Sequence, residues 1–251
     1  MTATVYDQTH VRLQELLGRT YNNPLGETPF PLLQKLVGAS GCPLVLDAGC
    51  GRGQTSRWWA VHAGATVDAF DPSPTMLDNA RRMVTQQSLE NQIRLHQTDI
   101  ASFSSGSKYD LVIAHDVLCY SEKLRPDLRH LLDLLRVGGV ASLTSYHGET
   151  ASDETQAVVK SWGIQPPRSF QETSALLDLA DIQVLLFVDT TRQYGSHWGV
   201  VREILATRLA DARHAVGPEE TNAFAGRIDA ILSAVRSGRF GHWWAILVKT
   251  T

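Results

Sequence analysis

Three glycines and three acids, spaced along the first half of the chain, are the residues most able to do chemistry. In LVLDAGCGRGQTS, residues 44–56, an apolar run stops at Asp47 and is followed by Gly49, Gly51 and Gly53. Glycine at alternate positions suits a turn that takes positive φ and brings backbone N–H groups close to a ligand. Asp71 closes the next apolar run, ATVDAFD, and Asp99 follows a third, IRLHQTD. A carboxylate about twenty positions beyond a glycine loop can hold the two hydroxyls of a ribose, and a second can accept from an exocyclic amine. The dinucleotide pattern GxGxxG would place its third glycine at position 54, where this chain has Gln54. A nicotinamide cofactor is therefore the weakest of the nucleotide readings. For Asp71 the competing role is that of an acid favoured by the dipole at the start of the following helix.

The elements that must position these residues alternate. Apolar strands at 44–48, 65–71, 93–99, 109–116 and 138–146 are separated by helical patterns near 55–63, from Ser73 as N-cap with Pro74 as first residue, and through Leu128, Leu131, Leu132 and Leu135. Such alternation predicts a parallel sheet joined by helical crossovers. Before it, residues 1–40 form a helical segment, with a short helix over Leu32 to Val37. After it, HGETASDETQ (147–156) is expected as an irregular loop. A helix and a sixth strand lie within SALLDLADIQVLLFVDTT, helices are expected at 198–214 and 219–235, and HWWAILVKT makes a last strand.

This ordered set resembles the motif series of class I S-adenosylmethionine-dependent methyltransferases, from about residue 40 to 146. The resemblance implies an α/β fold with a Rossmann-like, seven-stranded, mostly parallel sheet, its last strand lying antiparallel between the fifth and sixth. N-terminal helices over residues 1–40 would cover the cofactor, residues 41–251 would form the methyltransferase domain, and 194–238 would be a helical lid inserted before the last strand. S-adenosyl-L-methionine would be the cofactor, with S-adenosyl-L-homocysteine as product. Asp47, Gly49, Cys50, Gly51 and Gly53 would surround its methionine part, Asp71 its ribose, Pro72 and Met76 its adenosine, Asp99 and Ile100 its adenine. His115, at the end of the fourth strand, would contact cofactor and acceptor together. The tail from 188 to 249 resembles small-amine N-methyltransferases of the sarcosine and dimethylglycine type, which implies a small amine as acceptor.

Methyl transfer from a sulfonium asks the protein chiefly to align a lone pair and exclude water. Tyr21, Tyr120, Tyr146, His147, Arg192, Tyr194, His197 and Trp198 are the candidates for the acceptor pocket, with His115, Tyr21, Tyr194 and His197 nearest to catalysis. Each has a structural alternative: Tyr194 and His197 as ties of the lid, Tyr21 as a turn residue, His147 as a satisfied histidine, Arg192 as a solvent-facing charge able instead to meet a carboxylate. Of Trp243 and Trp244, neighbours on one strand, one ring would be core and the other would wall the site. An O-methyltransferase using His115 or His147 as base is the rival enzyme, and a cofactor-binding protein without transfer activity the rival from another class. Residues 145–147, SYH, do not offer the Asp-Asn pair of metal-assisted transfer, so no metal is expected. A net charge of -3 with no long basic run argues against nucleic acid. With no apolar stretch of membrane-spanning length and three scattered cysteines, the expectation is a cytoplasmic protein acting on a small molecule.

Overall fold

A computed structural model describes residues 7–19, 23–38 and 41–251. Among them the chain order is α1 (Gln8–Leu16), α2 (Phe30–Val37), β1 (Leu44–Ala48), α3 (Gln54–Ala63), β2 (Thr66–Phe70), α4 (Pro74–Gln86), β3 (Ile93–His96) and β4 (Tyr109–His115). Then come α5 (Leu124–Asp133), β5 (Leu135–Gly148), α6 (Asp153–Trp162), α7 (Phe170–Leu177), β6 (Ile182–Asp189), α8 (Thr191–Thr207), α9 (Leu209–Val216), α10 (Pro218–Arg236) and β7 (Phe240–Lys249). The seven strands form one sheet in the order β3-β2-β1-β4-β5-β7-β6. Pairing is parallel from β3 through β5, and the last strand lies between the fifth and sixth as expected. The strand sequence runs outward from β1 to β3 and then returns to β4, so the topological switch point, where open α/β sheets bind ligands, falls between β1 and β4.

The chain divides into two compact units. The sheet unit comprises residues 27–145, 174–188 and 244–251. Its central strands are buried on both faces, with Val45, Leu46, Val67, Ala69, Leu111, Val112 and Ile113 fully enclosed, as the continuous apolar runs require. Phe30 of α2 packs on Trp58 and Trp59 of α3, with ring centroids 4.9 and 6.2 Å away. The second unit, described residues of 1–26 with 146–173 and 189–243, is largely helical. Here α6 and α8 pack on α10, and α1 on α9.

Three expectations about elements need correction. The stretch 147–156 is not an irregular loop: β5 continues to Gly148, and Ser152 caps α6 by accepting from Thr155 N–H at 3.1 Å. The acids Asp153 and Glu154 in its first turn and the buried Val158 and Trp162 one turn apart supply a helix signal that the polar surroundings mask. The helix expected at 198–214 is two helices, α8 and α9, parted at Arg208, whose φ of -110° and ψ of 25° leave the helical region. Leu135 opens β5 instead of extending the apolar face of α5.

One buried polar cluster fixes β2 against its neighbours. Asp68, 5% exposed, accepts from Arg94 Nε at 2.7 Å and Nη2 at 3.0 Å and from the Tyr109 hydroxyl at 2.8 Å. Burial alone would raise its pKa, but the bonds from Arg94, Tyr109 and His96 outweigh it and hold the carboxyl below its ordinary value. Replacing Tyr109 by Phe removes a donor from a buried charge at constant shape. The expected cost is ~1–3 kcal/mol, read as a lower denaturation midpoint at unchanged denaturant slope.

Candidate active site

The glycine loop is built by backbone bonds that tie it to the end of β2. Gly49 and Cys50 both donate to the Phe70 carbonyl at 2.9 Å, and Gly53 N–H closes the turn on the Cys50 carbonyl at 2.9 Å. All three glycines have positive φ, 71° at Gly49, 54° at Gly51 and 81° at Gly53. They serve different ends. A Cβ on Gly49 would stand 2.6 Å from Val117 Cγ2, and one on Gly53 would stand 2.8 Å from Met83 Cε, so these two allow close packing with the segment after β4 and with α4. A Cβ on Gly51 would meet nothing within 4 Å. The loop therefore turns an open, side-chain-free surface outward at Gly51 alone.

Asp71 joins this loop to the next. One carboxylate oxygen accepts from Gly51 N–H and the other from Ser73 N–H, each at 2.9 Å. Ser73 in turn caps α4, accepting from Met76 N–H at 3.3 Å, with Pro74 in the first turn as the sequence predicts. Burial raises the pKa of Asp71 above its ordinary value while the two amide bonds oppose that shift. With four lone-pair sites and two used, the carboxylate keeps acceptor capacity for a diol. Pro72 is exposed beside it and Met76 is buried below. Asp99 stands exposed beyond β3, bonded to Ser102 N–H at 2.9 Å, and Ile100 is buried. An open glycine surface, a diol-accepting carboxylate and a second exposed carboxylate next to an apolar residue fit the adenosyl group and amino-acid end of S-adenosylmethionine.

Asp47 lies under the loop, 3% exposed, and accepts from Ser56 Oγ at 2.6 Å. Burial pushes its pKa up to about 6 despite that bond. Cys50 is buried as well, and its thiol is pushed well up by burial and then by the charges of Asp47 and Asp71, which leaves it without nucleophilic character.

At the end of β4, His115 Nε2 lies 2.8 Å from Ser142 Oγ, and Trp244 Nε1 donates to that same oxygen at 3.1 Å. The imidazole also stacks on Phe30 at 6.4 Å and 12°. Trp243 is buried and bonds the Tyr146 carbonyl at 3.1 Å, so the two tryptophans are both tied by their indole N–H groups. Sequence reasoning passed over Asp116. It has φ of 56°, rare for an acid, and is held there by its N–H to the Thr144 carbonyl at 3.0 Å and by Thr144 Oγ1 donating to its Oδ1 at 2.9 Å. Its signal was available, an acid directly after an apolar strand, as at Asp47 and Asp71. Tyr120 closes a short turn at 118–120 and is half-buried.

In the helical unit the aromatic candidates form one continuous cluster, joined where Tyr194 meets Trp198 edge-on at 6.3 Å. Tyr194 is 1% exposed and stacks on His242 at 5.2 Å and 1°, while Tyr146 packs 5.5 Å from Tyr194 and 5.2 Å from Phe240. Trp198 is buried beside Trp162, 5.2 Å away. His147 is a satisfied histidine: Nε2 lies 3.2 Å from Thr191 Oγ1 and 3.3 Å from Asp189, and burial lowers its pKa. Arg192 and His197 line a cavity of this unit, which also includes Arg19 and Asn23, two residues no spacing argument pointed to. Tyr21 lies outside the described residues.

Residues 46–141 match a family described as "Methyltransferase domain". A malonyl-[acyl-carrier protein] O-methyltransferase from Enterobacter lignolyticus is 35% identical over 114 residues, 45% of this chain; the chain spans 43% of that relative's length. Two solved structures share the fold at 16% identity. One, a sarcosine dimethylglycine methyltransferase from Galdieria sulphuraria, has a TM-score of 0.80 over 90% of this chain and 85% of that one. The other, a phosphoethanolamine N-methyltransferase from Haemonchus contortus, has a TM-score of 0.85 over 100% of this chain and 59% of that one.

Two substitutions separate packing from the open surface. Gly49→Ala is expected to lower the melting temperature markedly, because the added methyl meets Val117. Gly51→Ala should cost only about 1 kcal/mol of left-handed strain, yet weaken S-adenosylhomocysteine binding at least tenfold by calorimetry. For Asp47 the folded pKa lies above the unfolded value of 3.8. Stability is therefore greatest below that value and is lost as pH rises through about 6. Asp47→Asn should consequently gain stability relative to wild type as pH rises from 4 to 7.5 in thermal melts.

Proposed function

Residues 46–141 belong to the methyltransferase domain family and the sheet around them has the class I methyltransferase fold, and from this we propose that the protein transfers a methyl group from S-adenosylmethionine to a small molecule, at an amine nitrogen. The observation that carries the cofactor half is the joint held by Asp71, which bonds Gly51 and Ser73 and so ties the loop after β1, the strand bordering the switch point, to the loop after β2. Asp71 would hold the ribose hydroxyls, Gly49, Gly51 and Gly53 the methionine end, with Asp47 beneath it, and Asp99 with Ile100 the adenine. The bound cofactor supplies an electrophilic methyl on sulfur, so the protein's task reduces to positioning.

The amine reading is supported by the state of the histidines. His115 Nε2 is engaged with Ser142, and His147 Nε2 with Thr191 and Asp189. A phenol or alcohol needs its proton removed, whereas an amine that enters neutral, like a carboxylate already ionised at neutral pH, needs alignment only. Arg192 and His197 are proposed as acceptor contacts, with Tyr146, Tyr194 and Trp198 as the aromatic packing of the same unit, and Tyr120 is proposed as an acceptor contact of the sheet unit. A second reading, O-methylation, is favoured by the malonyl-[acyl-carrier protein] O-methyltransferase relative. A hydroxyl acceptor would need His115 to exchange Ser142 for it, whereas a carboxylate acceptor would need no base. No helix of the described residues is long and apolar enough to cross a membrane, and we place the enzyme in the cytoplasm.

Calorimetry should detect S-adenosylhomocysteine binding at micromolar levels, with Asp71→Ala weakening it at least a hundredfold. Absence of binding to folded wild type would refute the cofactor assignment. With labelled cofactor and a panel of amines, phenols and carboxylic acids, label is expected in the amine fraction. His115→Gln should then change the rate less than tenfold; labelled ester, or labelled ether together with a larger loss, identifies O-transfer instead.

A further inference from the structure

The helical unit contains a cavity of about 730 Å³, within the range of small-molecule sites. Its walls join Arg19, Arg192 and His197 to Leu17, Val201 and Ile204, and no described lining residue is acidic. Arg19 is the unusual member, a guanidinium on a residue only 8% exposed. Its backbone is fixed just past α1 by a bond to the Gln14 carbonyl at 2.8 Å, and its side chain lies over the Trp198 ring, 4.7 Å from the centroid. Its Nη2 also donates to His197 Nε2. That bond requires His197 to be neutral with its proton on Nδ1. The ring therefore offers the cavity no competing negative charge and keeps the guanidinium plane in place.

We propose that this cavity binds a small molecule carrying an anionic group, carboxylate or phosphate monoester, on a short apolar stem, with Arg19 as the anchor of the anion. A planar guanidinium already oriented by an aromatic face loses little freedom on pairing with two oxygens, and a partly desolvated site strengthens the pair. Arg192, exposed at the rim, adds the same sign of charge. Leu17, Val201 and Ile204 would receive the stem. That such a ligand, carrying an amine besides its anionic group, is the methyl acceptor rests on the methyl-transfer reading; anion binding by the cavity does not.

The test is calorimetry on the full chain without S-adenosylmethionine, using hexanoate, hexyl phosphate, hexylammonium and hexan-1-ol. Hexanoate, hexyl phosphate or both should bind, and the stronger of the two names the headgroup, while the amine and the alcohol should bind at least tenfold more weakly. Arg19→Ala should weaken the anion at least tenfold, and Arg19→Lys should recover part of the loss. Ser196→Glu, which places a carboxylate on the exposed part of the wall, should abolish anion binding in a protein with wild-type melting behaviour, and it decides the matter should the Arg19 variants not fold. Equal binding of hexan-1-ol and hexanoate, no anion binding to folded wild type, or wild-type affinity in Ser196→Glu would overturn the proposal. S-adenosylhomocysteine titrated into the same samples separates its failure from failure of the methyl-transfer reading.

Discussion

Two hydrogen bonds to one carboxylate hold the loops after β1 and β2 in register. Asp71 receives Gly51 N–H from the loop after β1 and Ser73 N–H from the loop after β2, so two neighbouring crossovers cannot shift independently. Everything nearby follows from that joint. Ser73 is placed to cap α4, Gly51 is left facing outward, and Asp47 is pressed beneath the loop where ionisation is costly. Two buried acids at one turn repel each other, and the arrangement persists because each has its own donors: backbone amides for Asp71 and a serine hydroxyl for Asp47.

The two units carry almost the same net charge, but the groups gathered at their candidate sites differ in sign. The sheet unit gathers the acids Asp47, Asp71, Asp99 and Asp116 near its strand ends, whereas the cavity of the helical unit gathers the cations Arg19 and Arg192 beside a neutral His197. With a net charge of only -3, this is segregation rather than excess. Hydroxyl and amine groups suit the first environment, and anions suit the second.

Much of the sheet unit was legible because its signals are local. Glycines needing positive φ, acids closing apolar runs, and a Ser-Pro helix start each act within a few residues, and the structure places all of them where their types demand. The helical unit was less so. The start of α6 was hidden because its cap and acids look like loop composition, and the break at Arg208 has no glycine or proline to announce it. Arg19 and Arg192 are far apart in the chain and meet only through tertiary packing, so no spacing could pair them. Asp116 carries a local signal, an acid closing an apolar run, but its positive φ is set by Thr144 of β5 and has no sequence signature.

The three cysteines acquire separate fates from this architecture. Cys50 and Cys119 are buried with their thiols held protonated, the first beneath the glycine loop and the second with its Sγ on the Asp116 carbonyl at 3.2 Å. Cys42 is exposed two residues before β1. Peroxide or an alkylating reagent thus finds its target outside the binding loop, and a single fluorophore can be attached there to watch that loop without touching it.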